Sequence, residues 1–182
     1  MTTANKTREL LANDKFRTTM FKYFDTADED GDQVLTKTEV KKYCTNLQKQ
    51  TGASDQKVSP LVAKVEEFCQ LIGFPDDSSD SKAGIKRADF PTLLAKFIPE
   101  ELQRKDNNEK MKTKELCDEY FKAIDVDNSK DLEVDELKTF AKCCGWKESG
   151  AEAFFKTADA NGDGLISGEE FDNGVVEFFF KF

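Results

Sequence analysis

Apolar residues recur at helical spacing in eight stretches of this chain, and short acidic or polar runs interrupt them. The pattern predicts helices over about residues 7–26, 37–50, 59–71, 87–97, 111–124, 134–144, 151–158 and 168–180. Pro60 suits the first turn of its helix, Pro99 ends another, and Gly145 follows a third. Aromatic pairs, Tyr23–Phe24, Tyr120–Phe121 and Phe154–Phe155, stand at the same distance before three of the acidic runs. Val40, Leu137 and Phe171 each follow one of those runs directly. The repeated register makes the chain an all-α array of one unit used four times. A polar insertion over 49–60 lengthens the first unit pair. A second polar stretch, 99–111, divides the chain near residue 105 into halves 1–104 and 105–182.

The interruptions carry the chemistry. Residues 159–170 read DANGDGLISGEE. Asp159, Asn161 and Asp163 put oxygens at positions one, three and five, Gly164 occupies position six, Ile166 position eight and Glu170 position twelve. Alternate residues of a tight loop turn their oxygens inward, and a carboxylate one helical turn further on closes the shell. A glycine permits the positive-φ bend between them. Ca²⁺ takes six to eight such hard oxygens at about 2.3–2.6 Å and tolerates irregular geometry. The same spacing recurs with Asp28, Asp30, Asp32 and Glu39, and again with Asp125, Asp127, Ser129 and Glu136. Leu35 and Leu132 are the apolar residues at position eight. A fourth copy is expected between residues 40 and 111. With Ile85 at position eight, its ligand positions hold Ser78, Asp80, Lys82 and Asp89, so a cation stands where a ligand belongs. That loop is read as a partner that braces the first loop and holds no metal.

These loops resemble EF-hand calcium loops, and the fold implied is all-α, with four helix-loop-helix hands in two pairs and the second hand degenerate. Within a pair, EF-hands meet through a short strand contact at position eight. The resemblance also implies ligands that spacing alone does not. The carbonyls of Val34, Asp131 and Leu165 serve at position seven. Thr36, Glu133 and Ser167 act at position nine, directly or through water. Gln33 and Lys130 replace glycine at position six, which costs roughly 1 kcal/mol or somewhat more of backbone strain. Three Ca²⁺ ions are expected, with Mg²⁺ able to take the same loops.

Composition narrows the partners. The net charge of −9 disfavours nucleic acid and anionic membrane and favours cations. There is no histidine, so histidine-dependent catalytic triads and histidine-containing zinc sites are excluded. No nucleophile–base pair or phosphate-cradling glycine loop is visible, and an enzyme is not expected. The five cysteines, Cys44, Cys69, Cys117, Cys143 and Cys144, form no C-x-x-C pair, and most fall on apolar stripes. They read as reduced core residues of a cytoplasmic protein. The N-terminal stretch has no signal-peptide pattern, residue 2 is Thr rather than the glycine needed for myristoylation, and no apolar run reaches membrane-spanning length. A monomer without a membrane anchor is expected.

The long first spacing, the degenerate second hand and the three intact loops together resemble the invertebrate sarcoplasmic calcium-binding proteins. That family implies a soluble Ca²⁺/Mg²⁺ buffer. The related luciferin-binding proteins and calcium-triggered photoproteins share the plan, but photoproteins use histidine in their light-emitting cavity, and the single Trp146 points away from them too. Three functions stay open. A buffer is favoured by sixteen Phe against three Met. A Ca²⁺ sensor would expose an apolar surface to a target protein, with 178–180 or the 49–60 insertion as the switching surface. A carrier would hold an apolar, luciferin-type molecule in a phenylalanine-lined interior.

Overall fold

A computed structural model of the chain describes residues 2–75, 83–143, 145 and 147–180, with the backbone only for 178–180. The elements in order are α1 Thr3–Ala12, α2 Asp14–Ala27, β1 Val34–Thr36, α3 Lys37–Thr51, α4 Asp55–Leu71, β2 Gly84–Lys86 and α5 Phe90–Asp106. They continue as α6 Lys112–Ile124, β3 Asp131–Leu132, α7 Val134–Cys143, α8 Glu148–Ala158, β4 Ile166–Ser167 and α9 Gly168–Phe180. The two antiparallel ribbons centre on position eight of each loop. Leu35 faces Ile85 in one, and Leu132 faces Ile166 in the other. Ser78, Asp80 and Lys82 of the second hand's expected loop, loop 2 in chain order, lie outside the described residues, as do Cys144 and Trp146.

The helices differ from the sequence expectation in three places. The first entering helix is two helices, because Asn13 leaves helical geometry and its side chain accepts the Phe16 amide at 3.1 Å. The helix expected from residue 59 begins a turn earlier, at Asp55, and carries Pro60 inside it. Pro60 is exposed, so water can replace the missing amide. The helix expected over 87–97 starts at Phe90 and runs through Pro99 to Asp106. An interior proline costs about 3 kcal/mol. Burial of Phe97 at the expected stop and of Ile98 and Pro99 beyond it offsets that cost.

The chain separates into two compact units, and the boundary passes through α3, α4 and the first turn of α6. The first comprises Met1–Lys41 and Val65–Thr113, the second Lys42–Lys64 and Lys114–Lys181. In the first unit, Phe16, Met20 and Phe24 form the buried stripe of α2. Phe24 meets Phe90 edge-on at 5.5 Å, and Phe68 meets Phe97 at 5.3 Å. Glu101, 1% exposed, accepts the Thr113 amide at 2.8 Å and the Thr113 hydroxyl at 2.7 Å. A carboxylate of α5 therefore caps the first turn of α6. Gly84 has no room for a side chain: a Cβ there would collide with the Leu35 carbonyl and stand 2.9 Å from Val34 Cγ1.

In the second unit, Phe171 lies between Phe121 and Phe154, each ring centroid 5.9 Å away. Lys64 of α4 pairs with Glu115 of α6 at 2.8 Å. Cys44, Cys69, Cys117 and Cys143 are buried. Burial, with Asp172 adding to it, pushes the Cys117 thiol far above its ordinary value, so it packs as a small apolar side chain.

Candidate metal centre

Each intact loop starts where a helix ends. The position-one residues Asp28, Asp125 and Asp159 donate their amides to Phe24, Phe121 and Phe155 at 2.8, 2.8 and 2.9 Å, so the aromatic register of the helix fixes where the loop begins. The chain then turns back on the first carboxylate. Asp28 accepts the Gln33 amide at 3.0 Å, Asp125 the Lys130 amide at 3.2 Å, and Asp159 the Gly164 amide at 3.1 Å. That closure needs a left-handed residue at position six. Gln33 has φ 68°, Lys130 74° and Gly164 84°, so two residues with a Cβ hold the conformation glycine would take without strain.

Short side-chain turns aim the next positions. Asp30 accepts the Asp32 amide at 3.1 Å and Asp32 the Val34 amide at 2.8 Å. Asp127 accepts the Ser129 amide at 2.9 Å, and the Ser129 hydroxyl donates to the Asp131 carbonyl at 2.7 Å. Asn161 accepts the Asp163 amide at 2.8 Å, donates its own amide to the Asp163 carboxylate at 2.9 Å, and Asp163 accepts the Leu165 amide at 2.9 Å. One carboxylate oxygen from each of Asp28, Asp30 and Asp32 lies within 4.8 Å of the others, and the same holds for Asp125, Asp127 and Glu136. Three anionic oxygens held this close suit a hard divalent cation. Asp159, Asp163 and Glu170 do not come that close together.

The glutamate at position twelve has a second role that the metal pattern conceals. In loop 1, Glu39 Oε2 accepts the Thr36 amide at 2.9 Å and the Thr36 hydroxyl at 2.7 Å, and Thr36 Oγ1 accepts the Glu39 amide at 3.2 Å. In the last loop, Glu170 and Ser167 repeat the exchange at 3.0, 2.8 and 3.3 Å. This reciprocal pair is a helix capping box. Position nine thus starts α3 and α9, and its hydroxyl is turned onto the glutamate. Glu39 Oε1 also reaches across the loop to the Glu29 amide at 3.0 Å, as Glu136 does to Val126 at 3.1 Å and Glu170 to Ala160 at 3.2 Å.

Loop 3 departs from this pattern. Position nine is exposed Glu133, which has no hydroxyl, and only its amide reaches Glu136, at 3.0 Å. The electrostatics follow. Burial pushes the Glu136 carboxyl above its ordinary value, and Asp127 and Asp125 push the same way against the two backbone hydrogen bonds. Hydrogen bonds from Ser167 hold Glu170 below its ordinary value. Asp127 is likewise lowered, first by the Ser129 amide.

Residues 113–175 match the EF-hand domain pair family. No curated protein matches the chain. Among solved structures, a light-sensitive photoprotein is 26% identical, with a TM-score of 0.82 over 92% of this chain and 83% of its own. A Mg²⁺-loaded apo-berovin, a ctenophore photoprotein whose three Ca²⁺-binding loops all bind magnesium, is 25% identical, with a TM-score of 0.80 over 90% of this chain and 87% of its own. Calcium-loaded apo-aequorin from Aequorea victoria shares the fold at 20% identity, with a TM-score of 0.75 over 91% and 90% of the two chains. Among the described residues, no helix is long and apolar enough to cross a membrane.

Proposed function

We propose that this chain, a Ca²⁺-binding protein with the EF-hand fold, takes up three ions in loops 1, 3 and 4 and serves as a cytoplasmic Ca²⁺/Mg²⁺ buffer. The observation that carries the reading is the common closure of the three loops, with the position-six amide on the position-one carboxylate at 3.0, 3.2 and 3.1 Å. Loop 1 would hold its ion with Asp28, Asp30, Asp32, the Val34 carbonyl and Glu39, with Thr36 outside them. Loop 3 would use Asp125, Asp127, Ser129, the Asp131 carbonyl and Glu136, with Glu133 as a further charge. Loop 4 would use Asp159, Asn161, Asp163, the Leu165 carbonyl and Glu170, with Ser167 fixing the glutamate. Three divalent ions offset six of the nine net negative charges, which couples filling to folding. Magnesium suits the same oxygens when calcium is scarce, and the three magnesium-binding loops of berovin support that extension.

The buffer reading rests on what surrounds the loops. Helix ends beside them are locked by Phe24 on Phe90 and by Phe171 between Phe121 and Phe154. A sensor's adaptable groove is methionine-rich, and this chain has three Met against sixteen Phe. Calorimetry of Glu39→Gln, Glu136→Gln and Glu170→Gln is expected to lose one site each, and unchanged stoichiometry in any of them refutes that loop. Apolar-dye binding is expected to stay low in Ca²⁺ and in Mg²⁺. A large rise in Ca²⁺ that Mg²⁺ does not reproduce replaces the buffer with a sensor. The likeness to photoproteins supports a second reading, a carrier of an apolar ligand, although this chain lacks histidine. A chromophore in an organic extract of the purified protein would establish it.

A further inference from the structure

The second hand presents an arginine to loop 1. Arg87 follows β2 directly, and its amide donates to the Gln33 carbonyl at 2.9 Å, at position six of loop 1. Its guanidinium turns to the last turn of α2. Nε and Nη2 donate to the two oxygens of Asp25 at 2.6 and 2.9 Å, and the guanidinium carbon sits 4.3 Å from the centre of the Phe21 ring. Arg87, Asp25, Gly31, Gln33 and the ligand Asp28 line one recess. The arginine fork fits a carboxylate with two parallel bonds, and its flat face fits an aromatic ring. One residue therefore touches both the helix that enters loop 1, through its side chain, and Gln33 just before the strand that leaves it, through its amide. The Asp25 carboxyl is held below its ordinary value by the same hydrogen bonds.

We propose that Arg87 is a positioning residue through which the second hand sets the metal affinity of loop 1. The inference rests on the assignment of loop 1 as a calcium site. With Asp25 and Phe21 gripped, α2 delivers Asp28 to the loop in one orientation, and the ordering cost of that orientation is met before the ion arrives. Arg87 does not act as a simple charge. Paired with Asp25, it adds no net charge beside the loop, and its loss would leave Asp25 as an extra anion that attracts calcium. In variants that leave the net charge unchanged, a charge role predicts no change and positioning predicts a loss, which makes the inference separable.

The position-six amides of Gln33, Lys130 and Gly164 each report one loop in a two-dimensional NMR titration with Ca²⁺. Two variants are decisive. Arg87→Lys keeps the charge and loses the fork and the stacking. The double variant Asp25→Asn with Arg87→Gln removes both charges and the clamp together. Each is expected to weaken Ca²⁺ at the Gln33 amide by about threefold to tenfold, the range of a well-formed surface ion pair with a stacked cation. The Lys130 and Gly164 amides are expected to titrate as in the wild type. In metal-free wild type, the Arg87 Nε–H is expected to exchange slowly with water, and Asp25→Asn is expected to abolish that protection. Wild-type affinity at Gln33 in both variants overturns the inference, as does equal weakening at all three amides, which would mean general destabilisation. If the wild-type Gln33 amide ignores Ca²⁺, the loop 1 assignment falls and takes the inference with it.

Discussion

Position six offers the sharpest test of the loop energetics. Gln33 and Lys130 hold φ 68° and 74°, and Gly164 shows the same bend at 84° without a side chain. A Cβ in the left-handed region costs about 1 kcal/mol. Gln33→Gly removes that strain and changes no charge. The gain divides between two observables. If the metal-free loop keeps the bend, the gain appears as stability. If repulsion among Asp28, Asp30 and Asp32 relaxes the metal-free loop, it appears as Ca²⁺ affinity, up to about fivefold. The freer unfolded chain of a glycine subtracts from the stability share but not from the affinity share. Lys130→Gly adds a second effect, removal of a cation near the loop, worth about 1 kcal/mol against a divalent ion at on the order of 8 Å in water. Lys130→Gln isolates that charge. Calorimetric affinity and denaturant unfolding of the metal-free protein, measured on all three variants, close the cycle. The expected order of affinity is Lys130→Gly above Lys130→Gln above wild type, with Gln33→Gly above wild type. Equal affinities for the two Lys130 variants, together with no gain of any kind in Gln33→Gly, would refute the strain argument.

Three further outcomes follow from the geometry. Gly84→Ala forces a Cβ against the Leu35 carbonyl, so a loss of about 1–3 kcal/mol is expected together with loss of the Leu35–Ile85 cross-strand NOE; a retained NOE at unchanged stability refutes it. Glu101→Gln weakens the buried cap on Thr113, and about 1–3 kcal/mol should go, read as a lower melting temperature; an unchanged melt would show that the cap contributes nothing. The raised Glu136 carboxyl makes a statement about pH. The folded metal-free state binds that proton more tightly than the unfolded chain, so stability falls as pH rises from the ordinary glutamate value of 4.5 through the raised folded value. Asp25, Asp127 and Glu170 are shifted the other way, so the measurable quantity is the difference between Glu136→Gln and wild type. That difference should move in favour of the variant as pH rises through the window, and a flat difference contradicts the shift.

The sequence exposed the features that repeat and hid those that depend on a neighbour. Leu35, Ile85, Leu132 and Ile166 were legible as strand partners because each occupies position eight of its loop, and the pairing Leu35 with Ile85 located the second hand despite its lost ligands. The prolines misled because a local rule was applied to sites decided by packing. Pro99 reads as a stop, yet it is buried within α5 among Phe97, Ile98 and Glu101. Pro60 reads as a first-turn residue, yet α4 had already begun at Asp55. Asn13 carries a recognisable cap signal, but the continuous apolar stripe around it suggested one helix. Gly84 gives no hint of its constraint, since the atom that excludes a Cβ belongs to another strand.

The capping boxes show a different limit, in which one motif covers another. Thr36–Glu39 and Ser167–Glu170 are readable as helix starts, but the same glutamates also fit position twelve of a metal loop. The two assignments meet on the same carboxylate, and that has a consequence for the order in which loops respond. Where position nine is Thr or Ser, the hydroxyl and amide hold Oε2 at 2.7–3.0 Å, so the glutamate is fixed to its helix before any ion is considered. Where position nine is Glu133, one of those bonds is missing, an additional negative charge is present, and Glu136 sits closer to protonation than Glu170. Loop 3 therefore has more to gain from a cation than loop 4 and stronger competition from protons. Glu133→Ser would restore the box, remove a charge, and draw Glu136 toward the behaviour of Glu170, trading acidic attraction for a pre-placed ligand. The pH dependence of Ca²⁺ binding at the Lys130 amide should flatten in that variant while the Gly164 amide is unaffected. If the two loops already share one pH dependence in the wild type, the residue at position nine does not control the glutamate at position twelve.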